Sequence, residues 1–143
     1  MIYLLDVNVL IALMDRSHIH HEPAHGWFGG LERDRWATCP MTENAAVRIM
    51  GSPSYANSPG SLVVVARLLQ RMMALPGHVF WADDVSLFGS PDVDVDRILA
   101  PAQITDSYLL ALASAHGGKL ASFDRRLITD PVRNGSTALR LIG

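Results

Sequence analysis

Ile2-Tyr3-Leu4-Leu5-Asp6-Val7-Asn8-Val9-Leu10 is the stretch that decides how this chain folds. The opening apolar run shows no alternation with polar residues, so it reads as a strand covered on both faces. The apolar segment 9–14 behind it has helical character, and Asn8 is its expected cap. A strand feeding directly into a helix begins a β-to-α unit, and the pattern repeats downstream. Helices are expected over 18–31, 42–50, 62–75 and 105–116, with strands over 35–39, 79–81, 119–123 and 137–142. Thr42 and Thr105 stand where two of these helices open. Pro40 stops the second strand, Gly51 and Pro53 end one helix, and Gly117-Gly118 end another. Segment 82–103 reads as mostly irregular, with a short helix near 95–99, and a helical turn is expected after Asp124. Alternating strands and helices require right-handed crossovers, hence a parallel sheet with helices on both faces. The Ser-, Pro- and Gly-rich segment 51–60 joins two helices into a clip.

The 143 residues suffice for a single domain, 1–143, and a hydrophobic content of 49% is that of a well-filled core. Net charge is −2 and Lys119 is the one lysine, so no global basic field announces a nucleic-acid partner; any such partner is held by local arginines and by metal. Cys39 stands alone, which excludes an internal disulfide and a thiolate zinc cluster. Neither a leader peptide nor a membrane-length apolar stretch is evident, so a cytoplasmic protein is expected.

Four acids fall at strand ends or helix starts: Asp6 after the first strand, Asp124 after the fourth, and Glu43 and Asp106 each behind a Thr. In open parallel sheets, ligands gather beyond the carboxyl ends of the strands where strand order reverses. If the first and fourth strands are neighbours, all four carboxylates face that crevice. Clustered carboxylates repel one another and invite hard divalent cations, Mg²⁺ or Mn²⁺. The chemistry that suits such a site is metal-assisted phosphodiester hydrolysis without a covalent nucleophile. Taken singly, each acid is equally well explained as a helix cap or a first-turn residue.

The segments Leu4-Leu5-Asp6-Val7-Asn8-Val9-Leu10, Thr42-Glu43, Thr105-Asp106-Ser107-Tyr108-Leu109 and Ser122-Phe123-Asp124-Arg125-Arg126-Leu127, in this order and spacing, resemble the PIN domain and, within it, the VapC-type toxins of bacterial toxin–antitoxin pairs. The resemblance spans the whole chain. It implies a three-layer α/β/α fold with strand order 3-2-1-4-5 and a Mg²⁺-dependent ribonuclease. Asp6 and Asp106 would be the most direct metal ligands, and Glu43 and Asp124 would complete the pocket. Asn8 would orient Asp6 by hydrogen bond, with Thr105 in support. A homodimer is implied, and a VapB-like antitoxin whose tail enters the active groove, giving a heterotetramer or larger assembly.

Other features compete for attention. His18, His20, His21 and His25 form a dense group, with His21 and His25 spaced as a zinc pair on a helix, although their simpler reading is capping and packing against Trp27 and Phe28. Asp92, Asp94 and Asp96 lack the Gly and Glu of a calcium loop and read as a solvated segment. Arg125 and Arg126 are candidate clamps for a substrate phosphate, and Arg48, Arg67 and Arg71 extend that surface. Met50, Leu69, Met72 and Met73 form an apolar stripe suited to a dimer contact or to the core. Two rival functions remain: a catalytically silent binding module of the same fold, and a receiver-like Mg²⁺-binding signalling domain. The second would need Asp83 as phosphoacceptor and a Lys at a strand end, whereas Lys119 begins one.

Overall fold

In the computed structural model, which describes residues 1–143, the opening run is strand β1 (Ile2–Leu5), and it passes at once into helix α1 (Val7–Met14). There follow α2 (His21–Gly29), β2 (Arg35–Thr38), α3 (Pro40–Met50), α4 (Leu62–Met73), β3 (His78–Phe80), α5 (Gln103–Ala115), β4 (Lys119–Ser122) and β5 (Leu139–Leu141). The five strands form one sheet in the order β3-β2-β1-β4-β5, and every pair is parallel. The chain therefore leaves the central β1 toward one edge and returns on the other side, reversing between β1 and β4.

Leu4 and Leu5 show why the first run has no polar alternation. Both are fully buried, Leu4 in the core beneath α5 and Leu5 in the core beneath α1 to α4, because successive strand residues point to opposite faces and here both faces are covered. Helix α5 contributes Leu109, Leu110 and Leu112, each fully buried, and a leucine removed from water contributes about 1.5–3 kcal/mol. On the other face Val9, Leu10, Trp36, Ala46 and Leu69 fill the second core.

Helix starts depart from the sequence reading. Helix α1 begins at Val7, not after Asn8: Asp6 has an extended backbone and its Oδ1 accepts the Val7 N–H at 2.7 Å, so the carboxylate takes the capping role and Asn8 is left exposed. Helix α3 opens with Pro40, whose missing N–H goes unneeded in a first turn, while Thr42 reaches back to accept the Cys39 N–H at 3.1 Å. Helix α5 opens at Gln103, whose Oε1 accepts the N–H groups of Leu99 and Ala100, both at 2.8 Å; Thr105 is exposed inside the helix and caps nothing. His18 and His20 precede α2, and turns rather than a helix follow Asp124. The irregular segment contains one short 3-10 turn, Val95–Arg97, capped by Asp94.

The clip exists: α3 packs on α4, and Gly51 permits it, since a Cβ there would meet Leu62 Cδ2 at 2.5 Å. Its connection is tied to α1. The buried carboxylate of Asp15 accepts the Tyr55 hydroxyl, the Asn57 amide at 3.0 Å and the Ser17 N–H at 3.0 Å. Burial alone would raise this carboxyl, but those donors outweigh it and hold it below its ordinary value. Removing one donor leaves a charged group short of a partner, so Tyr55→Phe is expected to destabilise the fold by about 2 kcal/mol, read as a lower urea midpoint at constant m-value.

Candidate active site

All five strands run the same way, so their carboxyl ends lie along one edge of the sheet. Leu5 pairs with Ala121, and the Asp6 N–H continues the ladder by donating to the Ala121 carbonyl at 3.0 Å. That register sets Asp6 beside Ser122 across a sequence separation of 116 residues. The Ser122 hydroxyl donates to Asp6 Oδ2 at 2.9 Å and accepts the Asp124 N–H at 3.1 Å, so one side chain fixes two acids. Asp124 Oδ1 in turn accepts the Arg126 N–H at 2.8 Å, which closes the turn after β4.

Asp106 enters from the first turn of α5. Burial, followed by the negative charges of Asp6 and Asp124, pushes its carboxyl up to about 6. Burial also raises Asp6, partly offset by its bonds from Ser122 and Val7 and reinforced by the charge of Asp124. Three of the four acids thus share one electrostatic neighbourhood, and none has a cationic side chain as hydrogen-bond partner. Glu43 sits one strand across. Its Oε2 accepts the Thr38 hydroxyl at 2.6 Å, and Thr38 is also 2.7 Å from His78 Nε2, an ordered chain at the end of β2.

Neither residue expected to orient the acids does so. Asn8 and Thr105 are exposed, and the donors to Asp6 are Ser122 and the Val7 N–H. Ser122, Thr38 and His78 were not anticipated from the sequence. Ser122 had one visible signal, a hydroxyl two residues before an acid at a strand end. Arg125 and Arg126 lie exposed beside Asp124, and Arg125 Nη2 donates to the Gly143 carbonyl at 3.1 Å.

No three His, Cys, Asp or Glu side chains converge into a closed cation cage. This arrangement still fits Mg²⁺, which keeps several waters and needs only one or two carboxylates, whereas it does not fit a metal that demands a full set of protein ligands. The donors are all oxygen, and the Asp6 and Asp106 carboxyls, raised by burial and then by neighbouring negative charge, are ones whose charged forms a cation would stabilise. The histidines do not make a zinc site: His21 Nδ1 is paired with the Ala12 carbonyl at 2.7 Å, and His20 stacks on Phe123. Asp83 accepts the Met41 N–H and the Tyr108 hydroxyl, both at 3.1 Å, and so joins the start of α3 to α5.

An α/β/α sandwich with carboxylates gathered where the strand order reverses is the class of architecture these elements define. Residues 3–129, which include all four acids, match the PIN domain family, and the chain belongs to that family. Over 124 residues, 87% of this chain and 87% of the relative, it is 44% identical to the Mycobacterium tuberculosis protein named Ribonuclease VapC44. Identity to Ribonuclease VapC39 of the same organism is 41% over 124 residues, covering 87% of this chain and 89% of the relative. With Ribonuclease VapC38 it is 40% over 139 residues, 97% and 96% of the two chains. The chain is a VapC-type PIN domain.

Proposed function

We propose that this chain is a Mg²⁺-dependent endoribonuclease, the toxin of a type II toxin–antitoxin pair. The observation that carries this reading is the gathering of Asp6, Asp106 and Asp124 at the strand-end crevice of a VapC-type fold, where burial and the neighbouring negative charges raise the Asp6 and Asp106 carboxyls. A bound Mg²⁺, or Mn²⁺ in its place, supplies Lewis acidity toward phosphate oxygens and makes a water more acidic. Asp6 and Asp106 would hold it. Ser122 keeps the Asp6 carboxylate turned toward the crevice, and the backbone of Arg126 does the same for Asp124. Glu43, held by Thr38, supplies the remaining side of the acidic pocket. Arg125 and Arg126 offer guanidinium groups to the phosphates flanking the cut. With water as nucleophile, the products carry a 5′-phosphate and a 3′-hydroxyl.

A VapB-like antitoxin is the expected partner. A groove of about 530 Å³ between α3 and α4 begins at Glu43 and runs over Val47, Leu62 and Leu69, with Arg48 at its rim, and is suited to an antitoxin tail. Homodimerisation would use the start of α4, where Leu62, Val63 and Val64 are exposed. Met50 and Leu69 are buried, so that half of the methionine-rich stripe belongs to the core. No helix is long and apolar enough to cross a membrane, and we place the pair in the cytoplasm.

The test is cleavage of a single-stranded RNA by the purified chain. Activity should fall at least about a hundredfold in EDTA and return with Mg²⁺. Cleavage that persists in EDTA rejects the metal. A chain that binds RNA but cuts none with any divalent cation is the silent binding module instead.

A further inference from the structure

We propose that His20 and Phe123 form a base-stacking wall beside the acid cluster, which takes an unpaired nucleobase next to the scissile phosphate. The inference rests on the endoribonuclease reading and adds to it the way a single strand is held.

Phe123 lies between Ser122, the donor to Asp6, and Asp124 itself, so its ring is anchored within one residue of two members of the site. On that ring lies the imidazole of His20, with centroids 4.6 Å apart and planes inclined by 22°. His20 is delivered there by a tightly bonded turn: the His18 N–H donates to the Asp15 carbonyl at 3.1 Å, and the His20 N–H donates to His18 Nδ1 at 3.0 Å. The His18 ring follows at 5.7 Å from that of His20, extending the aromatic surface along the connection.

Tyr3 with Trp27 and Phe28 with Trp36 meet edge to face, at 80° and 72°, while Trp81 and His116 are near-parallel at 16°; of the two near-parallel pairs, that of His20 and Phe123 is the one whose members include a neighbour of the acids in sequence. The His20 pair is near-parallel and His20 is exposed, with Ile19 beside it 86% exposed. A nearly flat π surface is thereby held at the rim of a site built for phosphodiesters. A guanidinium stands close by: Arg125 is bonded to the Gly143 carbonyl, and a Cβ on Gly143 would lie 4.0 Å from Phe123 Cδ1.

Proteins that read single-stranded RNA splay its bases onto aromatic rings and guanidinium planes, and hold the backbone with cations. Those three elements occur together here. A protein partner is less well matched, because aromatic anchors of protein interfaces fill pockets, and neither His20 nor Phe123 lines any of the larger grooves. A neutral base also needs no cation to approach the acids, so the wall contributes to substrate binding separately from the metal.

The test compares an oligoribonucleotide that the wild-type protein cuts with copies of it carrying one abasic ribose at successive positions around the cut. His20→Ala is expected to raise KM on the intact strand about tenfold, the scale of one lost base–aromatic stack, with kcat within about twofold. On the strand whose abasic position removes the stacked base, the substitution should change nothing, and His20→Phe should restore the low KM on intact RNA. The unfolding midpoint should be unaltered. An equal loss on intact and abasic strands would assign His20 a purely structural role and overturn the proposal, as would no loss at all, or a loss confined to antitoxin binding. Should the wild-type protein cut no RNA, the endoribonuclease reading fails. The wall is then read by the fluorescence of a single strand containing 2-aminopurine, bound in Ca²⁺. Quenching present in the wild type and absent in His20→Ala supports it; no quenching in the wild type rejects it.

Discussion

Asp106→Asn is expected to lower Mg²⁺-supported RNA cleavage by about 10³-fold, because it removes ligand charge worth several kcal/mol without changing volume. The same substitution should make the metal-free protein more stable. The Asp106 carboxyl sits at about 6 in the folded chain against 3.8 for the free group. Between those values the folded state holds a proton that the unfolded state has released. The contribution of this group to stability is therefore complete below 3.8 and disappears as the pH rises through 6, leaving at pH 7 a carboxylate penalised first by burial and then by repulsion from Asp6 and Asp124. Asparagine, being neutral, removes both costs. Because Asp106 is only partly buried, solvent screening reduces the gain to about 1 kcal/mol. Urea midpoints in EDTA check this: Asp106→Asn should exceed wild type at pH 7 and approach it near pH 5. Equal midpoints at pH 7 would mean that neither burial nor the neighbouring acids burden the Asp106 carboxylate. Cleavage should also weaken as the pH falls below about 6, since protonated Asp106 no longer offers charge to a cation.

Gly118→Ala is expected to destabilise the fold by about 3 kcal/mol, the upper end of overpacking costs. A Cβ at this position would lie 2.4 Å from the Ile2 carbonyl oxygen and 2.8 Å from Trp81 Cη2. The oxygen belongs to β1, and it cannot retreat without disturbing the pairing of Tyr3 with Lys119 that begins the β1–β4 ladder. The indole is pinned from outside by the His116 ring, stacked on it at 4.4 Å, whose Nε2 is 3.0 Å from Asp84. Since that ladder also brings Ser122 to Asp6, the variant should lose cleavage along with stability. Thermal or urea unfolding reads the first effect and RNA cleavage at low temperature the second. A wild-type midpoint would show that β1 and β4 tolerate a wider spacing.

The central strand and the acids were legible because their signals are local. Leu4 and Leu5 announce a doubly covered strand by the absence of a polar neighbour, and Asp6 and Asp124 sit where such runs stop. Helix starts were read less well. Asn8, Thr42 and Thr105 are good capping types, but a cap depends on the backbone angles of one residue, and Asp6, Cys39 with Pro40, and Ala102 held those positions instead. The supporting residues were hidden for a different reason. Ser122 matters through its register against β1, and His78 reaches Thr38 across the β2–β3 pair; such neighbours exist only once the strands are aligned. Glu43 shows the same limit, since its place at a helix start was visible but its bond to Thr38, one strand away from the other acids, was not.

The hydroxyl that joins Asp6 to Asp124 comes from the end of β4, 116 residues after the first carboxylate it touches. While the chain is being made, everything up to α5 can emerge without any competent centre, because β4 is still inside the ribosome. On the ribonuclease reading proposed above, the nascent chain would thus stay harmless to the machine assembling it until Ser122 has emerged, and any truncated product ending before Ser122 should be inert.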